Sequence, residues 1–224
     1  MEMTSARQDI ELSLSELRML ALKAARGAGM SWGLAEEAGF AAEWLTARGL
    51  PGGAWLAALL RRGGAVIPAW PDGARAAGPH CPIRTGAALA DHALVDGDTA
   101  LPRDLKLPAV VSPGLLLPFL DRLAALRNGP VTVGVGSGRI TLPAAPGSGA
   151  LAQVRDWSDE PQEVVLSIAD CGPGGTLASS PASRARAFLA AADLECLTGL
   201  ASRLTVPATT RSRGDAGSAM SDND

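Results

Sequence analysis

Apolar residues recur at helical spacing through the first sixty residues of the chain. The first helix follows Ser13, which has the S-x-x-E spacing of a capping box with Glu16. A second helix is predicted within residues 31–49, between a capping serine and a glycine stop, and Pro51 opens a third. The pattern therefore predicts three short helices that share one buried face.

Two glycines, Gly33 and Gly39, fall inside the second predicted helix. Each costs up to about 1 kcal/mol relative to alanine in a helix interior. We therefore expect another helix to approach closely at both positions.

The middle of the chain alternates short elements with proline-rich loops. Residues 65–67 are a candidate strand, and residues 83–95 have helical spacing. Residues 107–111 form another candidate strand, which Pro108 confines to a sheet edge or a strand start. A further helix is predicted over residues 113–126.

From residue 131 the apolar period changes to two. Alternating apolar residues flank a glycine-rich turn at residues 136–138, which is typical of a β-hairpin. Residues 164–169 predict a buried strand, and residues 183–204 predict a long helix with Phe188, Leu189 and Ala192 toward the core. The expected fold is a mixed α/β (α+β) domain, with a helical N-terminal region packed with a small sheet that includes the hairpin, flanked by helices.

These elements suggest a simple division of the chain. We expect a flexible N-terminus over residues 1–12 and a helical region over residues 13–62. Residues 63–206 would form the α/β core of the same domain, and residues 207–224 a C-terminal tail. The tail has no apolar period, so it is either solvated or docks its carboxylates on a neighbour's arginines.

Composition narrows the functional classes. The chain has 224 residues and a net charge of −3, which argues against a nucleic-acid or anionic-membrane partner. Its N-terminus lacks the apolar stretch of a signal peptide, and prolines interrupt its least polar run, residues 105–120. Three widely spaced cysteines are no disulfide framework. We expect a cytoplasmic protein; cofactor and oligomeric state stay open.

A glycine-rich segment after the last predicted strand is one candidate site. Cys171 begins it, and the glycines Gly172, Gly174 and Gly175 follow. At the carboxyl end of a strand the thiol could act as a nucleophile, and successive glycine N–H groups could hold an anion. The alternative is a tight loop beside an inert thiol. By contrast, the glycines at 134, 136 and 138 lie inside the hairpin and are explained by turn chemistry.

The two histidines of the chain give a second set of candidates. His80 lies in a proline-rich loop, and Asp91 and His92 lie near the end of the helix that follows. Arg84, about two turns earlier, could orient a carboxylate. Zinc would need both histidines and two cysteines to meet, and no C-x-x-C or H-x-x-x-H pair supports this, so no metal site is predicted. The alternative is a solvated His92 and a structural His80.

Five tryptophans carry most of the aromatic surface, and three of them belong to the helical region: Trp32, Trp44 and Trp55. They either pack in the core or form a partner-binding face, since tryptophan is enriched at interface hot spots.

Several strings resemble one bacterial family. KAARGAGMSWGLAEEA at residues 23–38 is similar to the opening signature of the domain of unknown function 3726. Residues 81–91 and 115–119 resemble its middle, and residues 206–208 and 222–224 resemble its end. This resemblance implies no activity and no catalytic residues. Residues 14–60 also distantly resemble the N-terminal helices of type-2 malate/lactate dehydrogenases, but the catalytic Ser-His-Gly motif of that family is absent.

Two hypotheses follow for the function. In the first, the protein binds a small anionic metabolite near Arg84, Asp91, His92 and the Cys171 loop, possibly as an enzyme. In the second, it is a non-catalytic subunit or protein-interaction partner, as the scarcity of catalytic groups and the tryptophan-bearing helices indicate.

Overall fold

The protein has a mixed α+β fold, as the sequence predicts. The structure, a computed structural model, describes residues 9–64, 67, 79–95, 101–145, 149–169 and 180–205. Within these ranges the helices are α1 (Leu14–Gly27), α2 (Trp32–Ala47), α3 (Gly52–Arg61), α4 (Pro82–Asp91), α5 (Leu117–Arg127) and α6 (Ala191–Ala201). The strands are β1 (Ile10–Ser13), β2 (Asp104–Val110), β3 (Val131–Val135), β4 (Gly138–Leu142), β5 (Gln162–Ile168) and β6 (Arg186–Leu189).

The N-terminal helices begin at the predicted caps. The Ser13 hydroxyl accepts the Glu16 N–H at 3.2 Å, and Glu16 Oε2 accepts the Ser13 N–H at 2.7 Å, which completes the capping box. Ser31 Oγ likewise accepts the N–H of Leu34 at the start of α2. These bonds satisfy backbone donors that the first turn of a helix leaves without partners.

One of the two glycines of α2 lies at a close helix contact. A Cβ on Gly39 would stand 2.9 Å from the carbonyl oxygen of Arg18, so α1 and α2 can pack at this distance only around a glycine. The prediction for Gly33 is wrong, because no atom lies within 4 Å of the position that its Cβ would take.

Strands β2, β5, β3 and β4 form an antiparallel sheet in that order. The hairpin β3–β4 is confirmed, and β2 is an edge strand, as Pro108 predicts. Alternate residues of β3, β4 and β5 are buried, β2 buries Leu107 and Val110 on either side of a bulge, and α5 packs against β3 and β4. The other face of the sheet carries partly or fully exposed residues.

A second sheet pairs β1 with β6, antiparallel, and joins the two ends of the described chain. The prediction of one helix over residues 183–204 is therefore wrong at its start, where Arg186–Leu189 is a strand. The strand buries Ala187 and Leu189 and leaves Phe188 54% exposed; Ala192, expected in the core, is also exposed. Only the later part is helical, in α6 and a 3₁₀ turn at Ser202–Leu204.

The tryptophans of the helical region divide between core and surface. Trp44 and Trp55 are buried, and Trp32 is 62% exposed. The candidate strand at 65–67, apart from residue 67, and the tail at 207–224 lie outside the described residues. No helix in the part of the chain described here is long and apolar enough to cross a membrane.

Candidate functional site

The sequence-predicted site residues that the structure describes are spread along α4. His80 lies just before this helix and His92 just after it, and ten helical residues between them span about 15 Å. Arg84 and Asp91 are seven residues apart, so they share a face of α4 but lie about 10 Å apart along its axis. The structure therefore does not bring the two histidines together.

His80 is a buried histidine without a ring partner. It is 0% exposed, and neither ring nitrogen has a hydrogen-bond partner among the described residues. Its backbone forms a parallel bridge with Val110, in which the His80 N–H donates to the Ala109 carbonyl at 2.7 Å. Burial lowers the pKa of His80, because the charged imidazolium would lose its hydration.

His92 is held by its own helix. Its Nδ1 lies 2.9 Å from the carbonyl oxygen of Ala88, so Nδ1 carries the proton in the neutral ring. Asp91 beside it is exposed.

The remaining predicted site residues lie outside the described chain. These are Cys171, Gly172, Gly174 and Gly175, and the role predicted for them stays a prediction. The described residues contain no group of three or more histidine, cysteine or acidic side chains that could hold a metal ion.

A different polar cluster lies at the C-terminal end of α2, and its centre is Asp121. This carboxylate, on α5, is 1% exposed. Its Oδ1 accepts the hydroxyl of Ser180 at 2.6 Å, and both oxygens lie 3.2 Å from the Ser180 N–H. The Ser180 hydroxyl in turn accepts the N–H of Ala144 at 2.8 Å. Ser180 thus links its own loop and the loop after β4, which contains Ala144, to α5 by hydrogen bonds.

Arg48, the C-cap of α2, completes this buried network. Its Nε donates to the Ser180 carbonyl at 2.8 Å, and its Nη2 also bonds this oxygen. Its Nη1 donates to the Trp44 carbonyl at 3.0 Å, and the guanidinium lies 3.9 Å from the centre of the Trp44 ring. Burial lowers the pKa of Arg48, and the charge of Asp121 opposes that shift.

Two more arginines stand beside Arg48, around Gly49. Arg155 Nη2 donates to the Gly49 carbonyl at 3.0 Å. A Cβ on Gly49 would lie 3.2 Å from Arg184 Nε and 3.6 Å from Arg155 Nη2, so these two guanidiniums are close neighbours. No ion pair joins either of them to a described acid. We call Arg48, Arg155 and Arg184 the arginine cluster.

The charges around the arginine cluster do not balance. Arginines at the end of α2 are favoured by its macrodipole, which is equivalent to about half a negative charge. Asp121 contributes one further negative charge. Three guanidiniums therefore retain a surplus of roughly one positive charge or more, and two of them are exposed side chains.

A cavity of about 240 Å³ opens next to Arg48. Small residues of the loop after β4 and of the 3₁₀ helix at Ala150–Val154 form its walls, together with Ser183. Arg48 uses three of its five N–H groups in the bonds above, so two remain to face a ligand. Of the three residues of the arginine cluster, Arg48 lines this cavity, and Arg155 and Arg184 do not.

The sequence analysis did not identify this cluster. Asp121 carries the one available signal, since it is an acid among leucines on a predicted helix. Arg155, Ser180 and Arg184 come from loops and a short 3₁₀ helix, and their contacts with residues 47–49 span more than 100 positions of sequence. No local pattern encodes such contacts.

The described chain is thus an α+β protein with a cluster of arginines at the C-terminal end of α2. Residues 12–94 match the family model described as "Protein of unknown function (DUF3726)", which confirms the resemblance over that range. The match includes Arg48 but ends before Asp121, Arg155 and Arg184. No curated protein and no solved structure matches the chain.

Proposed function

We propose that the protein binds a small anionic metabolite at the arginine cluster. One observation carries this proposal: the Arg155 and Arg184 guanidiniums both approach Gly49, and no described acid neutralises them. Like charges at such separations repel one another unless an anion lies between them. Guanidinium groups fit carboxylate and phosphate oxygens through paired N–H donors, so the ligand carries one of these groups.

Helix capping alone does not account for the arrangement. The last carbonyls of α2 already have donors: the Arg48 side chain bonds the Trp44 carbonyl, and backbone N–H groups bond those of Leu45, Thr46 and Ala47. Arg184 makes no side-chain hydrogen bond or ion pair with the described residues. Because Arg184 lies beside a second guanidinium, the two positive charges repel each other. A bound anion would offset this repulsion.

The cluster supports binding and supplies no proton-transfer group. Arginine remains charged throughout the physiological pH range, so it cannot act as a general base. A catalytic role for the protein therefore rests on the prediction for the Cys171 loop. The cysteines Cys81 and Cys196 are free thiols, which supports a reducing, cytoplasmic compartment.

Thermal unfolding with added anions tests the proposal. Sodium phosphate and sodium malonate would be compared with sodium chloride at equal ionic strength. A ligand at a hundred times its Kd adds about 2.7 kcal/mol of stability, which is a Tm increase of roughly 5–10 °C for a chain of this length.

Two variants show which arginines are responsible for the increase in Tm. Arg155→Gln/Arg184→Gln should lose this increase, and Arg203→Gln, which removes an exposed arginine elsewhere, should keep it. An equal increase in all three proteins, or none in the wild type with either anion, would refute the proposal.

A second candidate function is binding of a protein partner through Trp32. This side chain is 62% exposed at the start of α2, and the Arg26 guanidinium stacks on its ring at 4.9 Å. A photo-crosslinking amino acid in place of Trp32 should yield one discrete adduct in cells. The same amino acid at exposed Leu126 is the control, and equal labelling at both positions would count against this function.

A further inference from the structure

The exposed face of the four-stranded sheet has a depression near the β3–β4 turn. It lies over Gly134 in β3, an interior strand, and has a volume of about 410 Å³. It is lined by the β3–β4 turn, by Arg139 and by Gln162, Glu163 and Val165 of the neighbouring strand β5. It shares no residue with the cavity beside the arginine cluster.

Three glycines lie in this hairpin, and two have a structural reason. Gly136 has φ +56°, a left-handed conformation that the turn requires. A Cβ on Gly138 would stand 2.8 Å from the indole nitrogen of Trp157. Gly134 has no positive φ, and the atom nearest to its Cβ position is 3.7 Å away, an ordinary contact.

Gly134 therefore weakens an interior strand, although neither its backbone conformation nor a close contact within the described chain requires a glycine there. Glycine in a strand costs conformational entropy and gives up side-chain packing. A Cβ at this position would make only ordinary van der Waals contacts. Such a glycine often marks a place where a ligand or another backbone approaches the sheet closely.

The two residues opposite Gly134 determine what fits there. Arg139 on β4 and Val165 on β5 are its direct cross-strand neighbours. Arg139 Nε and Val165 Cβ lie 4.0 and 3.9 Å from the missing Cβ. Adjacent strands are about 4.8 Å apart, so the two flanking Cα atoms are about 10 Å apart, wide enough for one flat group between them.

Charge identifies the class of ligand. Lys106 on this face is paired with Glu163 at 2.8 Å, whereas Arg139 makes no ion pair or hydrogen bond with the described residues. Asp104, the other charged residue of this face, lines an adjoining depression together with Arg139 but forms no ion pair with it. Val165 is 40% exposed, so the opposite wall is apolar.

From these contacts we infer that the depression over Gly134 binds a planar, unsaturated anion. The flat body lies over the Gly134 backbone between Val165 and Arg139. The guanidinium stacks on its π face or pairs with its carboxylate or sulfonate, both of which are established arginine contacts. This site is separate from the arginine cluster and takes a different ligand.

Fluorescence titration with anilinonaphthalene sulfonate, and its displacement by benzoate, tests the inference. Gly134→Val places a branched side chain on the floor of the depression and should weaken binding of both probes about tenfold or more. The same substitution should raise Tm by about 2–4 °C, because valine suits an interior strand and its Cβ would make only ordinary contacts. A damaged fold would lower Tm. Weaker binding together with a higher Tm would therefore show that the substitution acts on the binding site itself.

Control variants separate this site from others. Arg139→Gln should weaken both probes, while Thr141→Val, on the same face outside the depression, should not. Arg203→Gln, which removes an exposed arginine outside both sites, should also bind both probes normally. Unchanged affinity in Gly134→Val or Arg139→Gln, or no binding by the wild type, would overturn the inference.

Discussion

Two buried polar side chains hold the end of α2 against α5 and its neighbouring loops. Asp121 and Ser180 are each 1% exposed, and Ser180 is both donor to Asp121 and acceptor from Ala144. A buried polar atom that loses its partner costs about 1–3 kcal/mol, so each atom of this network depends on the others.

Removal of the Ser180 hydroxyl tests this dependence. Ser180→Ala leaves the Ala144 N–H and one Asp121 oxygen with fewer partners, and we expect a loss of about 2 kcal/mol, or roughly 4–8 °C in Tm. Ser167→Ala, at an exposed position of β5 without a side-chain bond, should change stability by less than about 0.5 kcal/mol. Equal changes in Tm for the two substitutions would show that the hydrogen-bond network does not contribute to stability.

His80 should make stability depend on pH. Burial lowers its pKa in the folded state below the unfolded value of 6.5, so the unfolded chain binds the proton more readily. Its contribution is fully present above pH 6.5 and is lost as pH falls, by at most about 1.4 kcal/mol per pH unit.

Urea unfolding at pH 8 and pH 5.5 measures this effect. His80→Leu should retain stability at pH 8 and lose less of it at pH 5.5 than the wild type. His92→Leu, at a half-buried position, serves as the control. An identical decrease in wild type and His80→Leu would assign the pH dependence to other groups.

Among the residues, the sequence predicts the helix caps well because a cap is a local feature. Ser13, Glu16 and Ser31 act within three positions of their partners. It predicts the cluster poorly, because the residue types of Arg155 and Arg184 are common on any surface and only the tertiary fold brings them to Gly49.

At the scale of elements, α1 and α2 meet at Gly39. Gly39→Ala places a methyl group 2.9 Å from the Arg18 carbonyl and should destabilise the protein by about 1–3 kcal/mol. Gly33→Ala, on the same helix but in open space, should be neutral or stabilise it by up to about 1 kcal/mol. Thermal unfolding of the two variants checks the contact, and a destabilised Gly33→Ala would contradict it.

Strand β6 shows where the hydrophobic periodicity of the sequence fails to predict the secondary structure. Residues 183–204 include enough apolar positions for a helix, yet Ile10–Ser13 pairs with Arg186–Leu189 and draws them into a sheet. Four residues are too few for alternation to be distinguished from a helix turn. The hairpin β3–β4 was predictable because its two strands are joined by their own turn.

At the scale of the whole molecule, the helices and the four-stranded sheet share one continuous hydrophobic core. This core includes residues from α1 to α6 and from both sheets. The arginine cluster lies where α2 meets the loops that follow β4 and precede β6, so the site exists only once the parts of the chain have assembled.

Calorimetric titration of phosphate and malonate at low ionic strength measures anion binding to the folded protein. We expect one binding site on the wild type, an affinity reduced about tenfold or more in Arg155→Gln/Arg184→Gln, and no change in Arg203→Gln. If all three proteins bound either anion with the same affinity, the anion-binding site would lie elsewhere on the protein. The absence of heat with both anions would contradict the proposed function.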